Sequence, residues 1–318
     1  MEKANIRVKN RIIVILGPTS SGKSGIGVKL AKKFNGEIIS ADSRQIYRRL
    51  NIGTGKIARD PSRAGLKSNS EIYRSEGIAH HLIDAVDPKT EYNVARFKKD
   101  AIRVINDTIQ RGKLPIICGG TGFWIRTLVD DVDFPEVKPD WKLREKLGRK
   151  SADVLFTLLK KFDPERAKKI DAKNKVRLIR ALEICLAIGK VPKIKEKEKN
   201  KKYAFLQIGI GVSKEKLHKK IKKRLEERWK EGMIDEVRKL KKSGLSWKKI
   251  QSFGLGYFWI PLYLKKKISE EELFEKIYSS EKNYAKRQLT WFRKDKRIVW
   301  LENYKKIQKI VGEFLDKH

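Results

Sequence analysis

The sequence predicts an α/β protein whose core is a parallel β-sheet flanked by helices, with a helical insertion. Short apolar runs at residues 12–16 and 114–118 are separated by helical stretches, which is typical of strands buried in a parallel sheet. A glycine-rich turn follows each of these two runs, as expected where a strand ends in a ligand-binding loop. From residue 130 the strand pattern stops and helical spacing takes over, which indicates the insertion.

The predicted elements follow in order along the chain. Strands bounded by turn residues lie at residues 12–16, 37–40, 80–84, 114–118, 203–212 and 298–300. Helices with apolar residues every three or four positions lie at residues 26–34, 94–110, 217–225 and 270–293. Residues 1–129 and 198–318 are therefore predicted to form the core, and residues 130–197 the insertion. The charged segment 190–202 is interpreted as a solvated loop.

The charge of the chain is strongly unbalanced. Its 318 residues include 76 Lys and Arg against 39 Asp and Glu, which gives a formal net charge of +37. Charged residues make up 36% of the chain, against about 25% in ordinary globular proteins. An enzyme that acts only on small metabolites has no need of this excess, whereas a polyanionic partner explains it. A lysine-rich compositional bias is the alternative, and both interpretations are kept.

The cysteines and the N-terminal residues exclude several classes of protein. Cys118 and Cys185 are the only cysteines, and both lie in apolar surroundings, which predicts buried thiols rather than a disulfide. Without paired Cys and His clusters, no zinc site is expected. The first residues resemble neither a signal peptide nor a membrane span. We therefore expect a cytoplasmic monomer without membrane contact.

A phosphate-binding loop is the most specific motif. After the first strand, two glycines enclose four residues and are followed by Lys23 and Ser24, and a helical pattern comes next. Glycines let backbone N–H groups converge on one anion, and the helix N-terminus adds partial positive charge. Lys23 supplies a full charge, and Ser24 a ligand for Mg²⁺. The predicted phosphate-binding residues are Gly17, Pro18, Thr19, Ser20, Ser21, Gly22, Lys23 and Ser24.

Two further polar residues are candidates for chemistry near this loop. Thr19 either donates to an oxygen of the bound phosphate or stabilises the loop itself. Asp42 follows the second strand, so its carboxylate should face the loop. There it binds Mg²⁺, takes a proton from an attacking nucleophile, or caps the next helical turn. The residues alone do not choose among these three roles.

Three arginines are candidates for phosphate contact. The glycine turn at residues 119–122 offers backbone N–H groups, and Arg126 follows one helical turn later. Arg177 and Arg180 lie three apart on one face of a predicted helix. For each of these arginines the alternative is a solvated basic surface.

Taken together, these segments resemble the tRNA dimethylallyltransferases, also called the tRNA isopentenyltransferase family. The resemblance includes residues 17–24 (GPTSSGKS), 39–47 (ISADSRQIY), 119–122 (GGTG), 180–183 (RALE) and 285–293 (AKRQLTWFR), in the order of the family. It spans roughly residues 10–300. Because the chain carries no Cys/His zinc module, it is similar to the bacterial members.

The resemblance implies a reaction, a cofactor and roles for individual residues. A dimethylallyl group would pass from dimethylallyl diphosphate to N6 of the adenosine 3′ to the anticodon of tRNA, with Mg²⁺ as cofactor and diphosphate released. Asp42 would accept the N6 proton, while Thr19, Lys23, Ser24 and Arg126 stabilise the diphosphate. The residues implied in binding the anticodon stem-loop are Asp42, Ser43, Arg44, Gln45, Thr121, Arg144, Val176, Arg177, Leu178, Ile179, Arg180, Gly256 and Tyr257.

Three other classes of protein share part of this pattern. A small-molecule kinase has the loop and the fold, but the Asp42–Gln45 segment and the positive charge argue against it. An adenylate isopentenyltransferase is closer, and the basic insertion favours a macromolecular acceptor over a free nucleotide. An RNA-binding protein without enzymatic activity would need the basic surface but not the phosphate loop.

Overall fold

The computed structural model describes residues 10–61, 72–192 and 202–316. The chain forms two compact units, of which one comprises Met1–Asp131 and Glu198–His318 and the other Val132–Lys197. Most of the charged segment interpreted as a solvated loop lies outside the described residues. Among the helices of the described ranges, none combines the length and the apolar composition needed to cross a membrane.

The larger unit is built on one mostly parallel sheet. Its strands are β1 (Asn10–Leu16), β2 (Gly36–Ala41), β3 (Tyr73–Ser75), β4 (Ile78–His81), β5 (Leu114–Gly119), β6 (Tyr203–Ile210) and β7 (Val299–Leu301). Their spatial order is β3-β4-β2-β5-β1-β6-β7. Only the β3–β4 pair is antiparallel, and the other pairs are parallel. The predicted parallel sheet is thus confirmed.

Helices cover both faces of this sheet because its central strands are apolar on both sides. Along β1, Ile12 and Val14 belong to one buried cluster, whereas Ile13 and Ile15 belong to another. This alternation follows from the two-residue period of a strand. In chain order, the larger unit first contributes α1 (Lys23–Lys33), α2 (Val94–Gln110) and α3 (Gly122–Val129). The smaller unit contributes α4 (Trp141–Gly148), α5 (Ala152–Phe162), α6 (Pro164–Ala167) and α7 (Lys175–Ile188). The remaining helices belong to the larger unit and are α8 (Lys214–Lys230), α9 (Met233–Lys242), α10 (Trp247–Ser252), α11 (Gly256–Leu264), α12 (Glu270–Phe292) and α13 (Tyr304–Asp316).

Within the described residues of the smaller unit, 132–192, the regular secondary structure is helical, with irregular connections between the helices. Asp140 caps α4 and Ser151 caps α5, each by accepting a hydrogen bond from a backbone N–H in the first turn. The helices enclose a core of their own that contains Leu147, Leu155, Leu159, Leu178 and Leu182.

The sheet register brings the ends of three strands together. Gly119 at the end of β5 pairs with Leu16 at the end of β1 and with Ala41 at the end of β2. The residues that follow these strands, Gly17 and Asp42, therefore lie at the same edge of the sheet as Gly119. This is the neighbourhood that the sequence predicted.

One edge of the sheet differs from the prediction. The predicted strand at residues 80–84 ends at His81, because Leu82 and Asp84 have positive φ angles of 56° and 55° and turn the chain away. It is preceded by β3, a three-residue antiparallel strand that the sequence did not predict. Such a short edge strand lacks the apolar run that marks the buried strands.

Candidate active site

The phosphate loop joins β1 to α1. Gly22 has a φ angle of 91° and precedes α1 without a side-chain cap, so the first N–H groups of the helix have no side-chain acceptor there. Lys23 Nζ donates a hydrogen bond to Pro18 O over 3.2 Å, which holds the ammonium group over the loop. Backbone N–H groups, a helix N-terminus and an ammonium group together form an anion-binding site.

Two hydroxyls of this loop are buried and have no protein partner. Within the described ranges, neither Ser20 Oγ nor Ser21 Oγ makes a hydrogen bond, and Ser21 is only 4% exposed. Buried polar atoms are usually hydrogen-bonded, so exceptions need an explanation. Ser20 also has a φ angle of 60°, which residues other than glycine seldom adopt. Both observations fit a loop shaped to receive the oxygens of a phosphate group.

Gln288 of α12 links the phosphate loop to the second glycine turn. Its Oε1 accepts a hydrogen bond from Thr19 N over 2.8 Å, and its Nε2 donates to Gly120 O over 2.8 Å. Because Gln288 is buried, these two bonds fix the spacing between the loops. The Thr19 side chain lines the same cavity as Gln288.

Asp42 lines this cavity together with Lys23 and Ser24 of the loop. Asp42 Oδ1 accepts hydrogen bonds from Arg44 N at 2.9 Å and from Gln45 N at 3.3 Å. The capping role considered from the sequence is therefore observed. It does not exclude the chemical roles, because the hydrogen bonds of the described residues use only one of the two carboxylate oxygens.

The segment after Asp42 forms one wall of the cavity. Ser43 N donates to Thr121 Oγ1 over 3.1 Å, which ties this segment to the second glycine turn. Arg44 Nε donates to Phe253 O over 2.5 Å, and its guanidinium lies 4.9 Å from the centre of the Tyr284 ring. The residues predicted to contact RNA at positions 42–45 and 121 thus lie together.

A buried carboxylate holds the turn at residues 51–53, which closes another side of the cavity. Glu236 of α9 accepts hydrogen bonds from the backbone N–H groups of Asn51, Ile52 and Gly53 at 2.7, 2.7 and 3.0 Å. The Tyr257 hydroxyl donates to the same carboxylate over 2.6 Å. A Cβ at Gly53 would lie 2.6 Å from the Tyr257 ring, so only glycine fits there.

Two arginines of α8 donate hydrogen bonds to backbone carbonyls of residues 53–55. Arg228 is buried, pairs with both oxygens of Glu281 at 2.7 and 2.8 Å, and donates to Gly53 O over 3.1 Å. Arg224, one turn earlier, donates to Gly55 O. Both guanidinium groups line the cavity. Since Glu281 neutralises Arg228, Arg224 is the arginine of this pair that adds net positive charge.

The electrostatics of the cavity favour an anion. Burial lowers the pKa of Lys23, although the neighbouring Cys118 and Asp42 oppose the shift. Burial also lowers the pKa of Arg224, and the adjacent Arg228 adds to this effect. A buried cation has lost the water that stabilises its charge, and a bound polyanion replaces that stabilisation. A diphosphate supplies that charge.

The donors in the cavity also fit Mg²⁺. Ser24 Oγ and the Asp42 carboxylate line it together, and Mg²⁺ prefers oxygen ligands, of which a substrate phosphate usually supplies some. The described ranges contain no group of three or more His, Cys, Asp or Glu residues that would hold a metal by themselves. The protein alone therefore offers at most a partial coordination shell.

Arg126 does not lie among the residues that line this cavity. Its Nε contacts Asp130 Oδ2 at 3.0 Å, and its side chain is 43% exposed. The predicted role of Arg126 thus stays a prediction. Gly256 and Tyr257 are buried, and Tyr257 also lines the cavity.

The predicted RNA-binding residues of the smaller unit separate into two sets. Val176 and Arg177 are exposed on the first turn of α7, whereas the Leu178 side chain is fully buried in the core of the unit and Ile179 packs against it. Arg144 and Arg180 both bind the carboxylate of the buried Glu183. Burial opposes ionisation of Glu183, but these hydrogen bonds prevail and lower its pKa.

Sequence reasoning missed several residues of the site. Tyr284 and Gln288 are spaced four apart on the helix predicted at residues 270–293, which would have placed them on one helix face. Arg224 and Arg228 have the same spacing, but the helix predicted at residues 217–225 ends before Arg228. Nothing in the sequence marked Glu236 as a buried residue, because a carboxylate in an amphipathic helix ordinarily faces water. All five of these residues are brought together by tertiary packing.

Comparison with known proteins identifies the relatives of the chain. The model of the IPP transferase family matches residues 45–295. The tRNA dimethylallyltransferase of Acetivibrio thermocellus is 39% identical over 299 residues, which cover 92% of this chain and 91% of that protein. The tRNA dimethylallyltransferase of Carboxydothermus hydrogenoformans is 37% identical over 316 residues, which cover 97% of each.

Solved structures give the same result. A tRNA delta(2)-isopentenylpyrophosphate transferase from Staphylococcus epidermidis is similar with a TM-score of 0.67 and 34% identity, covering 98% of this chain and 100% of that chain. A eukaryotic dimethylallyltransferase described as acting on tRNA is similar with a TM-score of 0.71 and 28% identity, covering 92% of this chain and 74% of that chain.

Proposed function

The chain belongs to the IPP transferase family, and we propose that it transfers a dimethylallyl group from dimethylallyl diphosphate to N6 of an adenosine in tRNA. The observation that carries this proposal is the cavity that Lys23, Arg224 and Asp42 line together. The two cations suit a diphosphate leaving group, and the carboxylate can serve as the base for an amine. The names of the relatives support the substrates.

The reaction is a displacement at the allylic carbon. The N6 amine attacks C1 of the dimethylallyl group, a C–N bond forms, and the C1–O bond breaks with its electron pair leaving on diphosphate. The amine loses a proton, which Asp42 accepts through the carboxylate oxygen that is not engaged in capping. General bases of this kind contribute about 10²- to 10⁴-fold in rate.

The growing negative charge on diphosphate is met by groups already in place. Lys23 and, from α8, Arg224 line the cavity that receives the leaving group, and the loop adds the uncapped N-terminus of α1. Stabilisation by such preorganised donors is usually the largest single term in catalysis. Mg²⁺, held by diphosphate with Ser24, would supply further positive charge.

The acceptor is a tRNA anticodon stem-loop, and the adenosine is the one 3′ to the anticodon. The adenine has to leave the base stack to reach Asp42, as in other enzymes that act on an exocyclic group. The net charge of +37 suits a phosphate backbone. We further propose that the protein acts as a cytoplasmic monomer, with the exposed face of α7 contacting the RNA.

The direct test is incubation of the purified protein with Mg²⁺, dimethylallyl diphosphate and a synthetic anticodon stem-loop, followed by digestion and nucleoside mass analysis. We expect N6-(dimethylallyl)adenosine at the position 3′ to the anticodon. A stem-loop with guanosine at that position serves as the matched control and should remain unmodified. Transfer to free AMP at the same rate would instead indicate an adenylate isopentenyltransferase.

An experiment with ATP as the group donor distinguishes the proposed reaction from that of a kinase. When ATP replaces dimethylallyl diphosphate, neither the stem-loop nor AMP should become phosphorylated. Rapid phosphorylation of a small acceptor, together with no transfer from the allylic donor, would contradict the proposal.

A further inference from the structure

Two large aromatic side chains lie exposed beside the cavity. Phe123 of α3 is 39% exposed and Trp291 of α12 is 38% exposed. Their ring centroids are 6.4 Å apart with an interplanar angle of 81°, which is an edge-to-face pair. We name Phe123 and Trp291 the aromatic platform. The reaction described above assigns it no role.

Residues close to Phe123 and Trp291 in the chain form part of the cavity walls, which places the platform beside the cavity. Trp291 lies one helical turn after Gln288, which binds Thr19 and Gly120. Its indole packs directly against Gly122, where a Cβ would overlap the ring. Phe123 follows two residues after Thr121, the partner of Ser43. Both rings are therefore held next to the two loops that form the cavity, on rigid helices rather than on a mobile segment.

The charges around the platform favour an anionic chain. Residues 282–294 of α12 and its C-terminal end contain Lys282, Lys286, Arg287, Arg293 and Lys294 and no acidic residue. On the α3 side, the carboxylate of Asp130 is neutralised by Arg126 and by Arg297, the latter at 2.7 Å. Basic side chains interleaved with exposed aromatic rings are typical of surfaces that bind single-stranded nucleic acid.

We infer that the aromatic platform stacks on an unpaired nucleobase of the RNA next to the adenosine that enters the cavity. This inference rests on the proposed function, because an adenosine taken out of its stack leaves a neighbouring base without a partner. A base has an extended π-face that suits an exposed indole, and aromatic stacking tolerates any base. Phe123 supports the edge of Trp291 and limits the orientation of the stacked base.

The test is a cycle between protein and RNA substitutions. The protein is compared as wild type, Trp291→Ala, Trp291→Phe and Phe123→Ala, with Val299→Ala as the control for removal of an equally exposed apolar side chain. The RNA is the anticodon stem-loop, either intact or with one of the two nucleotides that flank the adenosine replaced by an abasic residue. The dissociation constant of each pair is measured by fluorescence anisotropy.

We expect Trp291→Ala to weaken binding of the intact stem-loop by about 5- to 100-fold, the range for loss of one base–aromatic stack. Trp291→Phe should retain most of the affinity, and Val299→Ala all of it. One of the two abasic substitutions should weaken wild type by a similar factor and have no further effect on Trp291→Ala. Unchanged KM for dimethylallyl diphosphate is also expected.

Three results would overturn the inference. In the first, the abasic and Trp291→Ala effects are independent and multiply. In the second, the platform variants raise the KM for dimethylallyl diphosphate, which would make the platform part of the donor site. In the third, sedimentation shows a dimer that Trp291→Ala dissociates, which would make it a protein interface. If the proposed function itself is wrong, the wild-type protein will not transfer a dimethylallyl group to the intact stem-loop. That result differs from all three of the others.

Discussion

The hydroxyl of Tyr257, a residue that lines the cavity, donates a 2.6 Å hydrogen bond to Glu236 Oε1. Both residues are buried, and the same carboxylate holds the backbone of Asn51, Ile52 and Gly53. Burial raises the pKa of Tyr257 well above its usual value, and Glu236 adds to the shift, so Tyr257 stays a donor at any physiological pH. This arrangement gives Tyr257 a structural role that its predicted contact with tRNA would not require.

Tyr257→Phe tests this role. The variant keeps the ring against Gly53 but removes one of the four hydrogen bonds to a buried carboxylate, which should lower the free energy of unfolding by about 1–3 kcal/mol. Denaturant unfolding measures this change. We expect the dissociation constant for tRNA to remain within about twofold, because the single O–H donor of Tyr257 is already engaged by Glu236. Lost tRNA affinity at unchanged stability would instead support a direct RNA contact.

Gln288→Leu should uncouple the two loops that face the substrate. The variant keeps the approximate volume but leaves Thr19 N and Gly120 O without their partner, so both loops gain freedom around the diphosphate. We expect the kcat of prenyl transfer to fall by about 10- to 100-fold, since misplaced catalytic groups are costly. Steady-state kinetics measure this, with Thr290→Val on an exposed position of the same helix as the control. An unchanged kcat would show that the spacing is set elsewhere.

Asp42→Asn separates the capping role of Asp42 from its role as base. The asparagine Oδ1 can still accept from Arg44 N and Gln45 N, so the wall of the cavity should survive. An amide cannot accept the N6 proton, and kcat should fall by about 10²- to 10⁴-fold. Single-turnover kinetics check this, while tRNA affinity stays within a few fold. Asp42→Ala, which loses the cap as well, should be less stable than Asp42→Asn but equally inactive.

The sequence predicts the parts of this site that depend on local pattern. The phosphate loop and Asp42 follow apolar strands directly, and parallel strands end at one edge of a sheet, so their neighbourhood can be inferred without a structure. Gln288 and Glu236 are different, because their partners Thr19 and Gly53 lie 269 and 183 residues away in the chain. No periodicity specifies such a contact. The packing of α9 and α12 against neighbouring helices decides it.

The difference between local pattern and tertiary packing also explains why the sequence suggested Arg126 and missed Arg224. Arg126 was assigned to the diphosphate from its place after a glycine turn, and the structure pairs it with Asp130. Arg224 has no motif around it, yet the packing of α8 brings it into the cavity. A basic residue on a helix has the same local pattern whether it faces water or a ligand, so charge alone could not rank these two residues.

The lowered pKa of Lys23 predicts a pH dependence of diphosphate binding. Since burial lowers this pKa, Lys23 is fully charged below its folded-state value and loses its proton as the pH rises through that value. A bound diphosphate favours the charged form, so binding at the higher pH should take up a proton at Lys23, and affinity should decline there. Lys23→Arg keeps its charge throughout this range and is the matched control.

Calorimetry measures this proton uptake. Inorganic pyrophosphate is titrated into the protein at several pH values between neutral and pH 10, each in two buffers of different ionisation enthalpy. The titration of pyrophosphate itself contributes equally to both proteins, so the difference between wild type and Lys23→Arg isolates Lys23. We expect this difference to grow as the pH rises. Identical proton uptake at every pH would show that the ammonium group of Lys23 does not respond to the bound anion, and that the positive charge at the loop comes from Arg224 and the helix N-terminus.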